Sequence, residues 1–190
     1  MCKKTKDLNE LLDIYENGLC NRIFKYQLNH KIDIEIVFYI ENFCHLLGLQ
    51  HVYGKNKKYL GINGYNVIKS GQLKRNDLKK HNKTEYNRIE IKLEHFDEIC
   101  DMLKSGEFIK FYQYKTKPLS AIVADFVIFQ DKKEYILHLF LRQENENTNQ
   151  YNPVSFIVKS ANDKSKNQYI SGQEYKKVTC FEIVDLKRNT

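Results

Sequence analysis

The sequence predicts an α+β fold in which N-terminal helices pack on a C-terminal antiparallel β-sheet of four to five strands. Two observations support this prediction: apolar residues recur at helical spacing in the first half of the chain, and strand-like apolar runs fill the second half. The chain has 190 residues, of which 42% are hydrophobic and only 2 are proline, so it can form one continuous core. We therefore expect a single domain spanning residues 1–190.

Helical and strand patterns alternate near the N terminus. Leucine and tyrosine at helical spacing predict a first helix over residues 6–15. Two stretches of alternating apolar residues, 22–28 and 32–38, follow it, with Asn29 and His30 between them. Because asparagine is favoured in tight turns, the two stretches predict a β-hairpin.

Two further helical segments precede the predicted sheet. The apolar period becomes helical at Phe43, and Gly48 interrupts this helix. The clearest helix is predicted over residues 84–104, because one face is apolar and Gly106 follows its end. That face consists of Ile89, Leu93, Phe96, Cys100 and Leu103. We expect it to pack on the sheet.

Five apolar or alternating segments predict the strands of the sheet. They are FIKFYQY at 108–114, AIVADFVIF at 121–129, EYILHLFLR at 134–142, PVSFIVK at 153–159 and KVTCFEIV at 177–184. Short polar connections separate these segments, which favours an antiparallel meander.

The charge and the cysteine content of the chain indicate its kind of partner and its cellular compartment. A formal charge of +7 and a pI near 9.0 favour polyanionic partners such as nucleic acid or acidic membranes, although a merely basic surface stays an alternative. The 5 cysteines form no CxxC pair and are expected to be reduced thiols. No segment approaches the roughly 20 apolar residues of a membrane helix. We therefore expect a cytoplasmic protein with no membrane partner.

The first candidate catalytic side chains lie in the segment from Phe43 to His51. The sequence contains no phosphate-loop, zinc-protease or nucleophile-elbow motif, and its carboxylates form no metal-binding pattern, so we predict no metal and no cofactor. The segment places His45 and His51 on either side of Gly48. His45 is either a functional imidazole or a hydrogen-bonded packing residue. Cys44 is a weak signal for a thiol nucleophile, because adjacent helical side chains diverge.

Two further groups of polar residues lie on the predicted strands. His138 and Arg142 share one side of their strand and form either the floor of a phosphate cleft or a partly exposed face. Ser155 and Lys159 share one side of the next strand, which begins near Tyr151. A serine hydroxyl can donate to a phosphoryl oxygen and a lysine can neutralise its charge, although simple alternation also explains this pattern.

Several short motifs follow one another along the chain. They are F-C-H-L-L-G-L-Q-H at 43–51, N-R-I at 87–89, A-D-F-V at 124–127, L-F-L at 139–141, Y-N-P-V-S-F at 151–156 and a glutamine at 173. Together they resemble a phage-associated branch of the barnase–EndoU–colicin–RelE-like (BECR-fold) nucleases. The resemblance implies a compact RNase fold of helices followed by an antiparallel sheet. It places the family's polar positions on His45, His51, Arg88 and Ser155, with Gln173 as a further candidate.

These residue types suit cleavage of RNA by its own 2′-hydroxyl. The reaction needs a base, an acid for the departing 5′-oxygen and support for the charged phosphorane, but no metal. His45 is the leading base or acid, because imidazole titrates near neutral pH. We therefore predict a metal-independent endoribonuclease, of toxin or phage-effector type, that leaves a 2′,3′-cyclic phosphate.

The predicted partners follow from the same residues. Arg88 is expected to grip the phosphate of an RNA substrate, with Arg142 as an alternative. Tyr112, Tyr114 or Tyr151 could stack a base. With Arg142, the residues Tyr151, Lys159 and Gln173 complete the predicted substrate-binding set, and a cognate inhibitor protein is an additional partner to consider. The rival interpretation is a phage or anti-defence module on the same fold that binds nucleic acid or protein without catalysis.

Overall fold

The structure is a computed structural model that describes residues 5–186. The chain divides into two compact units. The helical unit comprises the residues up to Cys20 together with Tyr39–Glu98, and the sheet unit comprises Asn21–Phe38 together with the residues from Ile99 onward. Each unit thus combines two stretches that are distant in sequence. The single domain over residues 1–190 stays a prediction.

Six α-helices form the described part of the helical unit. They are α1 (Leu8–Gly18), α2 (Asn42–Leu47), α3 (Leu49–Tyr53), α4 (Gly61–Lys69), α5 (Arg75–His81) and α6 (Lys83–His95). The first helix is confirmed, and a capping box fixes its start: the Asp7 side chain accepts from the N–H of Leu8, and the N–H of Asp7 donates to the Glu10 carboxylate.

Aromatic rings fill the centre of the helical unit. Phe96 is fully buried, and its ring centroid lies 5.7 Å from that of Phe43 and 6.1 Å from that of Tyr15. The Tyr15 hydroxyl donates to the carbonyl oxygen of Tyr39 at 2.6 Å. Since each such ring buries about 150–250 Å², this trio contributes a large share of the apolar burial in the unit.

The helix predicted over residues 84–104 is instead two helices. Helix α6 ends at His95, a 3₁₀ turn occupies Phe96–Glu98, and α7 (Ile99–Ser105) belongs to the sheet unit. The apolar residues that predicted one helix are therefore divided between the helical unit and the sheet unit. Phe96 packs in the first, whereas α7 packs on the sheet.

One mixed sheet of eight strands forms the described part of the sheet unit. The strands are β1 (Arg22–Leu28), β2 (Ile32–Val37), β3 (Glu107–Lys110), β4 (Phe126–Asp131), β5 (Tyr135–Gln143), β6 (Gln150–Ser160), β7 (Glu174–Lys176) and β8 (Val178–Asp185). Their order is β7-β3-β4-β5-β6-β2-β1-β8. Neighbours are antiparallel except β2 and β6, which run parallel.

This sheet corrects the predicted fold class: in place of a C-terminal antiparallel sheet of four to five strands, the structure has one mixed, nearly closed sheet of eight strands. The predicted hairpin is confirmed as β1–β2, but it belongs to the same sheet as the C-terminal strands. Strand β2 pairs with β6, and β1 pairs with β8. Alternation identifies a strand and its buried face, but it does not identify a distant pairing partner.

The first and last strands in the sheet order are neighbours in the chain. Only Lys177 separates β7 from β8, and the sheet curls until it is nearly closed. Strands β3 and β4 are shorter than predicted, because residues 111–125 form an irregular connection that contains a 3₁₀ turn at Gln113–Lys115. A hydrophobic cluster covers one face of β5 and includes Phe111, Phe140 and Tyr169.

Candidate nucleic-acid site

Gly48 separates two short helices that carry His45 and His51. Its φ of +86° and ψ of +22° are left-handed, so α2 ends and α3 begins at this residue. The N–H of Gly48 donates to the carbonyl of His45 at 3.0 Å, and the carbonyl of Gly48 accepts from the N–H of His51 at 2.9 Å. The predicted interruption at Gly48 is confirmed, and both histidines are exposed.

Helix α6 packs its Ile89 against this break. A β-carbon added at Gly48 would lie 2.9 Å from Cγ2 of Ile89 and 3.4 Å from Cδ2 of His51. On α6, Arg88 precedes Ile89, and Lys92 follows Arg88 by four residues, which places both cations on the same side of the helix. The glycine therefore allows His51 to approach the helix that carries the two cations.

These contacts define a histidine–cation cluster of His45, His51, Arg88 and Lys92. His51 interacts electrostatically with the other three members and with Glu85. Glu85 also forms an ion pair with Arg88, with 2.5 Å between carboxylate oxygen and guanidinium nitrogen. Arg88 is exposed, so its guanidinium lies where a phosphate from solvent can reach it.

Two members of the cluster have altered acidity. His51 is exposed to solvent, but partial burial of its side chain lowers its pKa, and the positive charge of Lys92 lowers it further. Burial also lowers the pKa of Lys92 to about 8. At about pH 7, His51 is therefore mostly neutral and able to accept a proton, whereas most of Lys92 still carries its charge. We did not predict a role for Lys92 from the sequence, although its spacing of four residues from Arg88 was an available signal.

Replacing Gly48 by alanine is expected to destabilise the helical unit by about 2–5 kcal/mol, since left-handed strain and overlap with Ile89 add together. Urea unfolding measures this loss. Gly71→Ala is the matched control, because Gly71 also has a positive φ of +73° but only one atom within 4 Å of the added carbon, at 3.9 Å. Equal losses in the two variants would contradict a close contact between Gly48 and Ile89.

Ser155 and Lys159 lie on β6 in the sheet unit. The Lys159 ammonium donates to the Ser165 hydroxyl at 2.7 Å, and its nitrogen lies 3.4 Å from a carboxylate oxygen of Asp163. It also lies 5.6 Å from the ring centroid of Tyr169. Ser155 is half-buried. Lys159 thus has partners within its own unit, and the substrate roles of Ser155 and Lys159 stay predictions.

The other predicted substrate-binding residues occupy different environments in the sheet unit. Arg142 is exposed on β5. Tyr151 is buried, with its ring edge-on to Phe126 at 5.5 Å, and burial raises its pKa. Gln173 is also buried, and its side chain accepts from the N–H of Tyr112 at 2.8 Å and donates to the same residue's carbonyl at 3.1 Å. Tyr151 and Gln173 therefore hold the unit together, and a contact with substrate stays a prediction for all three.

Two reactive side chains noted in the sequence are core residues. His138 is fully buried beside Tyr169, at 5.3 Å between ring centroids, and burial lowers its pKa to about 4. It is therefore neutral and forms neither a phosphate floor nor an exposed face. Cys44 is also fully buried, and burial raises the pKa of its thiol to about 12. A protonated, inaccessible thiol does not support a role as nucleophile.

The described residues provide neither a metal-binding group nor a helix of membrane-spanning length. Within residues 5–186, no group of three or more His, Cys, Asp or Glu side chains is placed to hold a metal ion. No helix in this described range is both long and apolar enough to cross a bilayer. Metal independence and a cytoplasmic location stay predictions.

The exposed imidazoles beside cations are typical of proteins that act on phosphate esters. The family model described as phage-Barnase-EndoU-ColicinE5/D-RelE like nuclease4 matches residues 7–188, and the chain belongs to this family. The resemblance noted in the sequence is confirmed. Membership supports a nuclease function in the broad sense, with nucleic acid as the substrate. Neither a curated protein nor a solved structure matches the chain.

Proposed function

We propose that the protein is a metal-independent endoribonuclease that uses the histidine–cation cluster. The observation that carries this proposal is the placement of exposed His45 and His51 beside Arg88 and Lys92 in a member of a nuclease family. Two imidazoles can supply the base and the acid, and two cations can hold the phosphate. These are the groups that cleavage by an internal 2′-hydroxyl requires.

The lowered pKa of His51 supports a division of the proton transfers between the two histidines. His51 accepts the proton of the ribose 2′-hydroxyl, because its lowered pKa keeps the imidazole neutral. The 2′-oxygen then forms a bond to phosphorus while the bond from phosphorus to the 5′-oxygen breaks. His45, in its protonated form, donates a proton to that leaving oxygen. The products are a 2′,3′-cyclic phosphate and a free 5′-hydroxyl.

Arg88 and Lys92 stabilise the charge that develops on the phosphorane. Arginine can donate two parallel hydrogen bonds to phosphate oxygens, and lysine adds a compact positive charge. The ion pair with Glu85 orients the Arg88 guanidinium before substrate binds. Ser155, on the sheet unit, stays a predicted donor to a phosphoryl oxygen.

Total RNA incubated with the purified protein in EDTA tests the proposal. The expected products are fragments with a 2′,3′-cyclic phosphate at one end and a 5′-hydroxyl at the other. DNA and fully 2′-O-methylated RNA should stay intact, because neither has the attacking hydroxyl. Cleavage of either polymer, or a requirement for added divalent metal, would overturn the mechanism.

Loss of the Lys92 charge near its pKa of about 8 is expected to lower the rate of RNA cleavage on the alkaline side, in addition to any loss of the proton that the general acid donates. Above that pH the lysine loses the charge that holds the phosphate. On the acid side the rate should fall only below pH 6.5, since the pKa of His51 lies under this ordinary value and the base must be neutral. A pH–rate profile measures both limbs.

Lys92→Arg provides the control for this profile. Arginine stays charged in the alkaline range, so the alkaline limb should move to higher pH. Lys92→Met should lower the rate below about pH 8, where the lysine is charged, and should have little further effect above that pH. An alkaline limb that is the same in Lys92→Arg and in the unaltered protein would assign that limb to another group.

Binding without catalysis is the alternative function. Lysine and aromatic side chains interleave in the segment FIKFYQYKTK, and Lys115 Nζ lies 4.5 Å from the ring centroid of Tyr112. Retention of RNA with no cleavage in the EDTA experiment would favour this alternative. A cognate inhibitor protein stays a predicted partner.

A further inference from the structure

A basic cleft lies within the sheet unit, at the irregular connection between β3 and β4. Its volume is about 440 Å³, within the range typical of small-ligand sites. Lys115 and Lys117 line one side, and Lys164 lies in the segment between β6 and β7 that forms the other. Polar side chains complete the lining, including Asn167, Gln168 and Ser171.

Hydrogen bonds hold the two sides of this lysine cleft in place. The Gln168 side chain donates to the carbonyl of Pro118 at 2.7 Å and so ties the two segments together. Within the first segment, the Thr116 hydroxyl donates to the carbonyl of Gln113 and accepts from the N–H of Ser120, both at 2.7 Å. The cleft therefore exists before any ligand binds, which lowers the entropic cost of binding.

The lysines of the cleft are not matched by an equal number of carboxylates. No carboxylate lines the cleft, and among the described residues none forms an ion pair with Lys115, Lys117 or Lys164. Of the neighbouring acids, Asp163 pairs with Lys159, and Glu174 pairs with Lys176 and also interacts electrostatically with Lys115. Three exposed lysines thus line a shared space and favour a ligand with several negative charges.

An exposed aromatic ring next to the cleft narrows the class of ligand. Tyr114 is 74% exposed and directly precedes Lys115. Its ring centroid lies 5.8 Å from that of Tyr112, and most of its flat apolar surface is open to solvent. A free aromatic face stacks on an unpaired base, whereas the bases of a duplex are already stacked on each other.

We propose that the lysine cleft binds a single strand of nucleic acid, with backbone phosphates at Lys115, Lys117 and Lys164 and one base stacked on Tyr114. The site uses residues that the histidine–cation cluster does not contain. The proposal depends on the proposed function in one respect only, which is the choice of nucleic acid as the ligand.

Fluorescence anisotropy with a labelled 2′-O-methyl oligouridylate of about 12 nucleotides tests the site, because that length exceeds most single-domain footprints. The probe has no free 2′-hydroxyl within the chain, so binding is measured whether or not the protein cleaves RNA. Replacing Lys115, Lys117 and Lys164 together by glutamine should raise Kd about tenfold or more at low salt and flatten its salt dependence. The control replaces Lys31, Lys104 and Lys133, three exposed lysines of the same unit outside this cleft.

Tyr114→Ala tests the stacking contact separately. It should raise Kd about tenfold, against little change for Tyr175→Ala, which removes another exposed tyrosine of the sheet unit. An equal loss of affinity in the cleft variant and in the control lysine variant would overturn the proposed site and indicate a general effect of positive charge. Absence of binding by the unaltered protein at low salt would also overturn it, and an acidic protein surface would then become the ligand to test.

Discussion

His51→Ala is expected to lower the rate of RNA cleavage by roughly 100-fold or more, the typical loss when a general base is removed. The side chain is exposed, so its removal should leave the thermal unfolding midpoint nearly unchanged. Initial rates on one RNA substrate, measured with the unfolding curve of each variant, separate the two effects. His45→Ala should show a loss of similar size, because it removes the proposed acid.

His30→Asn is the control for loss of an exposed imidazole. His30 lies in the β1–β2 turn at a φ of +57°, a conformation that asparagine tolerates. This variant should cleave RNA at the unaltered rate. Full activity in folded His51→Ala would remove His51 from the mechanism, and unfolding of His45→Ala would favour the packing interpretation of that residue.

Phe96→Ala is expected to lower the free energy of unfolding by about 3–5 kcal/mol, because it leaves a cavity where a large ring was fully buried. The loss should appear in the helical unit, where Phe96 contacts the rings of Tyr15 and Phe43. Urea unfolding followed by far-UV circular dichroism measures it.

Ile62→Ala is the matched control within the same unit. Ile62 is 43% exposed, so its truncation should cost less than about 1 kcal/mol. Similar losses for the two variants would contradict the central position of Phe96. A Phe96→Leu variant, which refills part of the cavity, should recover part of the stability.

Local patterns in the sequence predicted local structure well. The first helix, the hairpin with Asn29 and His30 in its turn, and the break at Gly48 all have causes within a few residues. The extent of the sheet has no such local cause. Strand β2 pairs with β6 across more than half the chain, and nothing in the alternation of either strand marks this partner.

The candidate site also combines residues that are close in sequence with residues that only the fold brings together. The sequence places His45 and His51 around Gly48, but only the contact of Gly48 with Ile89 brings Arg88 and Lys92 into the same group. The segment FIKFYQYKTK and Tyr114 were predicted as candidate RNA contacts, but the cleft itself was not, because its second side comes from a segment distant in sequence. Composition indicated a positive charge without indicating where it is concentrated.

The pairing of β1 with β8 has a consequence for synthesis of the chain. Arg22 and Asp185, which face each other in this pair, are 163 positions apart. The hairpin is synthesised well before β8, so the outer edge of β1 has no partner until residues 178–185 have been translated. During that interval its unpaired N–H and C=O groups can join another chain. Truncation before β8 should therefore yield a product that aggregates, even though every residue of the histidine–cation cluster is present.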